Sequence, residues 1–229
     1  MKFLLVVATK NEIQPFLDKF DLVIDTEITY QFQLVDLAID ILITGVGITA
    51  TSFALGQNLN ANYDLVLNVG IAGSFDRKIE LGEVINVVED QFADLGAEDD
   101  ETCLSLFDLG LIEENDYPYE KEKLVNNTLH KPESIQSLKN VSGITVNKVH
   151  GNKNSIEKII GKYRPTIETM EGAAFFYACK MVGIPFFQIR AISNYVEKRD
   201  RDAWDIPLAV KNLNKKLIEV VNELANDIA

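Results

Sequence analysis

Three short apolar runs, Lys2 to Ala8, Leu65 to Val69 and Phe186 to Ser193, constrain this chain more than any other feature. The first is β-branched and nearly continuous, as a strand buried on both faces is, and such strands need helices above and below them. Leu65 to Val69 reads as another buried strand and Phe186 to Ser193 as a central one. The covering helices are legible too. Asn11 to Phe20 continues the first run as an amphipathic helix, Ile48 to Asn60 and Ser155 to Tyr163 have helical spacing, and Gly172 to Val182 reads as a buried helix. Ala203 to Ile228 reads as a long amphipathic terminal helix with Asp202 as its cap.

Leu22 to Asp25, Tyr30 to Asp36 and Ala38 to Ile43 also read as strands, with an antiparallel pair because so few residues separate neighbours. Gly143 to Val149 has strand character, whereas Gln91 to Lys139 is acidic and loop-like, a surface excursion. Thr44-Gly-Val-Gly47 and Gly70-Ile-Ala-Gly73 read as glycine-bearing turns after apolar strands. The sum predicts one domain, residues 1–229, built as a three-layer αβα sandwich around a mixed, twisted central sheet.

Charge narrows the partners. With 22 basic against 35 acidic residues the formal charge is −13, so the chain lacks the field that draws phosphate backbones, and neither nucleic acid nor an anionic membrane surface is expected. Runs such as Phe3 to Ala8 fall far short of the roughly 20 residues of a spanning helix, and no cleavable-looking signal follows Lys2, which predicts a cytoplasmic protein. Cys103 and Cys179, without CxxC spacing or a histidine cluster, indicate neither a disulfide framework nor a metal site.

Three polar residues sit where open α/β sheets bind ligands, at strand ends and helix starts. Glu12 follows the first strand; on position alone it is a first-turn acid favoured by the helix dipole. Glu171 precedes an apolar helix, and small Gly172, Ala173 and Ala174 leave room for a ligand whose vicinal hydroxyls one carboxylate can accept. Asn194 ends a strand, where Asn is usually a turn former. Gly70-Ile-Ala-Gly73 lacks the spacing of a dinucleotide fingerprint, so no NAD site is expected.

Met170-Glu-Gly-Ala-Ala174 and Arg190-Ala-Ile-Ser-Asn194 together resemble the nucleosidase branch of the nucleoside phosphorylase and nucleosidase superfamily. That resemblance implies that Glu12 is the general base for an attacking water, that Met170 and Glu171 hold the ribose hydroxyls, and that Arg190 helps hold the water and Glu12. It also implies close backbone approach of Ile71, Ala72 and Gly73 to purine and ribose, with Ile71 standing where adenine nucleosidases commonly carry Ser. Ser193 and a base-covering loop of Val149, His150 and Gly151 complete the substrate contacts, His150 without a catalytic part. No metal or organic cofactor is needed, and a homodimer or larger assembly is implied.

Asn194 departs from the family's Asp. A protonated Asp suits adenine, donating to N7 and accepting from the 6-amino group, whereas an ionised Asp would repel the N7 and O6 acceptors of a 6-oxopurine. Asn can donate to N7 and O6, or accept from an amine, but cannot serve as a general acid, so it suits a base that leaves as a stable anion. Hypoxanthine does so better than adenine. Ser193-Asn-Tyr-Val-Glu-Lys-Arg-Asp-Arg-Asp-Ala-Trp204, Gln91-Phe-Ala-Asp-Leu-Gly-Ala-Glu98 and Asn68-Val-Gly-Ile-Ala-Gly-Ser74 resemble the futalosine hydrolase family. The implied reaction splits futalosine into hypoxanthine and dehypoxanthine futalosine in the alternative menaquinone route, with Arg199 or Arg201 a candidate cation for the substrate's aromatic carboxylate.

Three alternatives remain at this point. An adenine nucleosidase would act on methylthioadenosine, adenosylhomocysteine or aminodeoxyfutalosine; a phosphorylase would need phosphate; a binding protein would not turn over. The first loop, Thr9-Lys-Asn-Glu12, puts a carboxylate where a phosphorylase needs fixed positive charge, which favours water.

Overall fold

In a computed structural model, which describes residues 1–22 and 29–226, the chain forms eleven strands and six α-helices among the described residues. In chain order these are β1 (Lys2–Val7), α1 (Gln14–Lys19), β2 (Thr29–Leu34), β3 (Leu37–Ile43), α2 (Ile48–Asn58), β4 (Leu65–Ser74) and β5 (Val84–Asp90). There follow β6 (Gly96–Asp99), β7 (Thr102–Ser105), β8 (Leu124–Val125), α3 (Glu133–Gln136), β9 (Lys139–Thr145), α4 (Lys153–Tyr163) and β10 (Ile167–Thr169). The chain ends through α5 (Gly172–Val182), β11 (Phe186–Tyr195) and α6 (Ile206–Asn226). Most of the expected strand Leu22 to Asp25, and the helix beyond Asn226, lie outside the described residues.

The main sheet runs β10-β9-β5-β11-β4-β1-β3-β2, with β8 added beside β5 and β10 also reaching β4. Alternation along its buried strands separates two apolar layers. Phe3, Leu5 and Val7 of β1 join Leu65, Leu67 and Val69 of β4 in a core covered by Phe16 and Leu17 of α1 and by Leu213, Leu217 and Val221 of α6. Leu4 and Val6 face the other way with Val66, meeting Leu55 of α2 and Phe175, Phe176 and Cys179 of α5. This is the three-layer αβα sandwich around a mixed sheet, since β1, β3, β4 and β11 are parallel while β2 runs against β3, and β5, parallel to β9, runs against β11.

Several expectations need correction. Asn11 to Phe20 is divided: a 3-10 turn over Lys10–Ile13 precedes α1, which begins with Pro15 in its first turn. Asp202 does not cap the terminal helix; it lies in a 3-10 turn, and Asp205 Oδ1 accepts the Leu208 N–H at 3.0 Å instead. Gly70-Ile-Ala-Gly73 is not a turn but the second half of β4, paired with β11. The expected strand Gly143 to Val149 begins earlier, as β9, and has ended by Thr145. The excursion after Gln91 contains an exposed hairpin, β6 with β7. β5 and β10 were not foreseen.

The four parallel strands bring their carboxyl ends to one edge of the sheet, with three loops attached: Ala8 to Glu12 after β1, Thr44 to Gly47 after β3, and Val196 onward after β11, whose last residues are Asn194 and Tyr195. In such sheets this edge is where crevices open.

Candidate active site

A cavity of about 550 Å³ opens at that edge. Its lining includes Glu12, Ile71, Ala72, Gly73, Val149, His150, Met170, Glu171, Ser193, Asn194 and Arg199, so of the expected site residues it leaves out Arg190 and the alternative cation Arg201.

Glu12 is held from two elements. Oε2 accepts from the Thr9 N–H at 3.0 Å and the Thr9 hydroxyl at 2.9 Å, while Oε1 accepts from the Ile71 N–H at 3.1 Å, across to β4. Three donors against the roughly four acceptor positions of a carboxylate leave Oε1 able to accept one more hydrogen. The residue does serve its own helical turn, as position alone suggests, and still faces the cavity.

Glu171 occupies the cap position of α5, yet its carboxylate does not cap that helix. The Thr169 hydroxyl accepts the Gly172 N–H at 3.1 Å and the Thr145 hydroxyl accepts that of Ala173 at 2.6 Å. With those donors satisfied, Glu171 Oε1 turns to the Gly47 N–H at 2.9 Å, in the loop after β3. Burial pushes its carboxyl up from the ordinary value, opposed by the nearby Arg190 charge and the Gly47 N–H. Gly172 does not make room for a ligand: a Cβ there would stand 2.2 Å from Asp90 Oδ2, so its smallness serves a buried polar chain.

That chain holds Arg190, which is 1% exposed. Asp90 accepts from the Thr145 hydroxyl at 2.9 Å and from Gln188 Nε2 at 3.2 Å; Arg190 Nη2 donates to Gln188 Oε1 at 3.3 Å and to Asn68 Oδ1. Burial lifts the Asp90 carboxyl to about 6. Arg190 lies behind the cavity lining, and it and Glu12 both approach Gly70, where a Cβ would be 2.1 Å from Nη1 and 2.9 Å from Glu12 Oε1. Gly70 is therefore glycine because two charged groups close on it.

Asn194 follows an irregularity in the pairing of β11 with β4, between Ile192 and Asn194, which redirects its side chain. Its Nδ2 donates to the Tyr195 carbonyl at 3.0 Å and its Oδ1 accepts from the Ser193 hydroxyl at 2.8 Å. Because the carbonyl only accepts, the amide orientation is set, and among the described residues its second N–H has no acceptor.

Val149, His150 and Gly151 line the cavity together. His150 is not an isolated loop histidine: its backbone N–H donates to Glu168 Oε1 at 3.1 Å and its Nδ1 lies 2.7 Å from Glu168 Oε2. Glu168, in the unforeseen strand β10, was the residue missed; the only signal for it is its place in Glu168-Thr-Met-Glu171. Arg199 is exposed and stacks over Trp204, 5.0 Å from the ring centroid, both residues on the cavity wall.

The profile of the phosphorylase superfamily matches residues 2–226. The chain belongs to that superfamily. Within it, the chain is 31% identical over 195 residues to a futalosine hydrolase of Acidothermus cellulolyticus, an alignment covering 82% of this chain and 77% of that one. It is 25% identical over 202 residues to a 5'-methylthioadenosine/S-adenosylhomocysteine nucleosidase of Psychromonas ingrahamii, covering 85% of each. The futalosine hydrolase structure of Helicobacter pylori superposes with a TM-score of 0.79 at 17% identity, covering 97% of this chain and 98% of that one, and confirms the fold.

Proposed function

We propose that residues 1–229 form one catalytic domain that hydrolyses the N-glycosidic bond of futalosine, releasing hypoxanthine and dehypoxanthine futalosine on the futalosine route to menaquinone. The observation that carries the hydrolytic part is the Glu12 carboxylate, fixed by Thr9 and Ile71 at the mouth of β1, where a phosphate-using enzyme needs positive charge. Likeness to the Acidothermus cellulolyticus futalosine hydrolase supports the choice of substrate.

In this mechanism Glu171 accepts the ribose hydroxyls, its position secured by Gly47. Asn194 gives its uncommitted N–H to the departing purine, and lacks the proton a general acid would supply. A 6-oxopurine, which carries negative charge well, needs only that donation. As the glycosidic bond lengthens toward an oxocarbenium-like centre, Glu12 Oε1 takes a proton from the attacking water, and buried Arg190 stabilises the carboxylates around it. Arg199 on the outer wall supplies the cation for the substrate's aromatic carboxylate.

The test is chromatographic release of base from futalosine by the wild-type protein and by Glu12→Gln. Hydrolysis requires hypoxanthine from the first and a loss of at least about 100-fold in kcat from the second. A protein that only binds nucleosides would release no base in either case.

A further inference from the structure

Glu168 is a carboxylate with 4% exposure, on a cavity wall and unused by the mechanism above. It grips His150 twice, through the backbone N–H and through Nδ1. On the opposite side it borders Gly73: the two residues are paired between β10 and β4. A Cβ on Gly73 would lie 3.6 Å from Glu168 Cγ and 3.2 Å from Asn194 Nδ2. A planar base lying on that glycine therefore has Asn194 and the Glu168–His150 pair at its edges.

The pairing selects a tautomer. With Oε1 receiving the His150 backbone N–H, the carboxylate acts as an acceptor, and Nδ1 opposite Oε2 carries the ring proton. In the neutral tautomer so oriented, Nε2 is the lone-pair side of the ring. Purines differ on the edge such an acceptor would meet: a 6-oxopurine carries hydrogen on N1, whereas adenine N1 is itself an acceptor.

We propose that His150, oriented by Glu168, is a specificity-determining residue whose Nε2 accepts N1–H of a 6-oxopurine while Asn194 donates at the N7 and O6 edge. The proposal rests on the nucleosidase reading above and deepens it. Adenine would set lone pair against lone pair at N1, so discrimination comes from a repulsive contact as well as an attractive one. Glu168 is a positioning residue, acting through the imidazole.

The experiment compares kcat/KM for futalosine with that for aminodeoxyfutalosine, which differ at the 6-position, in wild type, His150→Ala and Glu168→Gln. Removing the imidazole should lower the 6-oxo to 6-amino ratio by roughly 10- to 100-fold, the cost of leaving a buried donor unpaired. Glu168→Gln is the sharper variant. Its amide can donate to Nδ1, which moves the ring proton to Nε2 and turns the acceptor into a donor suited to adenine N1, so activity on the 6-amino substrate should rise.

A latch that merely holds the loop would lower both substrates alike and leave the ratio unchanged, which overturns the proposal. If Glu168→Gln does not fold, by melting temperature, His150→Ala decides, since His150 lies in a loop. A wild type that prefers the 6-amino substrate sinks the choice of futalosine and this proposal together. A wild type that prefers futalosine, with variants of unaltered ratio, sinks only this one.

Discussion

Glu12 and Arg190 close on the same glycine: a Cβ added to Gly70 would lie 2.9 Å from Glu12 Oε1 and 2.1 Å from Arg190 Nη1. A methyl group cannot enter without moving one of them, and Arg190 is held from behind by Asn68 and Gln188. Gly70→Ala should therefore lower kcat by about 100-fold, the scale of a small displacement of catalytic groups. Steady-state kinetics beside a melting curve checks this; a folded Gly70→Ala variant with wild-type kcat would show that the Glu12–Arg190 approach is incidental.

Glu171 should show itself in the pH dependence of catalysis. Burial raises its carboxyl above the ordinary range, so it becomes protonated, and loses acceptor capacity, at a higher pH than an exposed glutamate. The acid limb of kcat/KM is expected above the ordinary carboxylate value. Glu171→Gln should lower kcat/KM by roughly 100-fold, as the amide keeps one accepting oxygen of two and loses the charge that strengthens the bonds to the ribose hydroxyls. A variant with unchanged KM and kcat would remove the ribose role.

Asp90 couples the buried chain to stability. Its carboxyl is lifted to about 6 in the folded protein against an ordinary 3.8, so between those values the folded state holds a proton that the unfolded state has lost. Stability thus falls as pH rises from about 4 to about 6, by roughly 3 kcal/mol from this group, and then levels. Denaturant unfolding of wild type and Asp90→Asn across that range should give curves whose difference changes by that order. Parallel curves would mean that Asp90 does not titrate as its burial demands.

The layered fold was legible because its strongest elements repeat one signal. Lys2 to Ala8 and Gly172 to Val182 are apolar on more than one side, and a strand or helix of that kind has to be covered. β5 escapes the sequence reading although Val84-Ile-Asn-Val-Val is β-branched, because polar Asn86 and Asp90 are buried by tertiary partners, including Asn140 and Thr145, that have no local trace. Gly70 to Gly73 was misread as a turn because glycine marks both turns and close approaches; here Arg190, from a strand about 120 residues away in sequence, forces the second meaning. That Glu12, Glu171 and Asn194 share one cavity is legible from motif and position. Glu168 is not, since its partner His150 meets it only through the pairing of β10 with β4 and β9.

Asn194→Asp should alter which base leaves. A protonated carboxyl at that position would donate to N7 and accept from a 6-amino group, whereas an ionised one repels O6 and N7. The variant should lose hypoxanthine release by about 10-fold or more and gain adenine release from aminodeoxyfutalosine. Chromatography of both bases reads the change; an unaltered preference would mean that Asn194 does not select the purine.

The most direct test of futalosine hydrolysis at this site is a competition between equimolar futalosine and aminodeoxyfutalosine, run with and without inorganic phosphate, reading both bases and the sugar product. Hydrolysis with Glu12 as base and Asn194 at the purine gives hypoxanthine in excess of adenine by about 10-fold or more, at a rate indifferent to phosphate and with no sugar phosphate formed. Adenine in excess would contradict the purine assignment, and a requirement for phosphate would contradict the role given to Glu12.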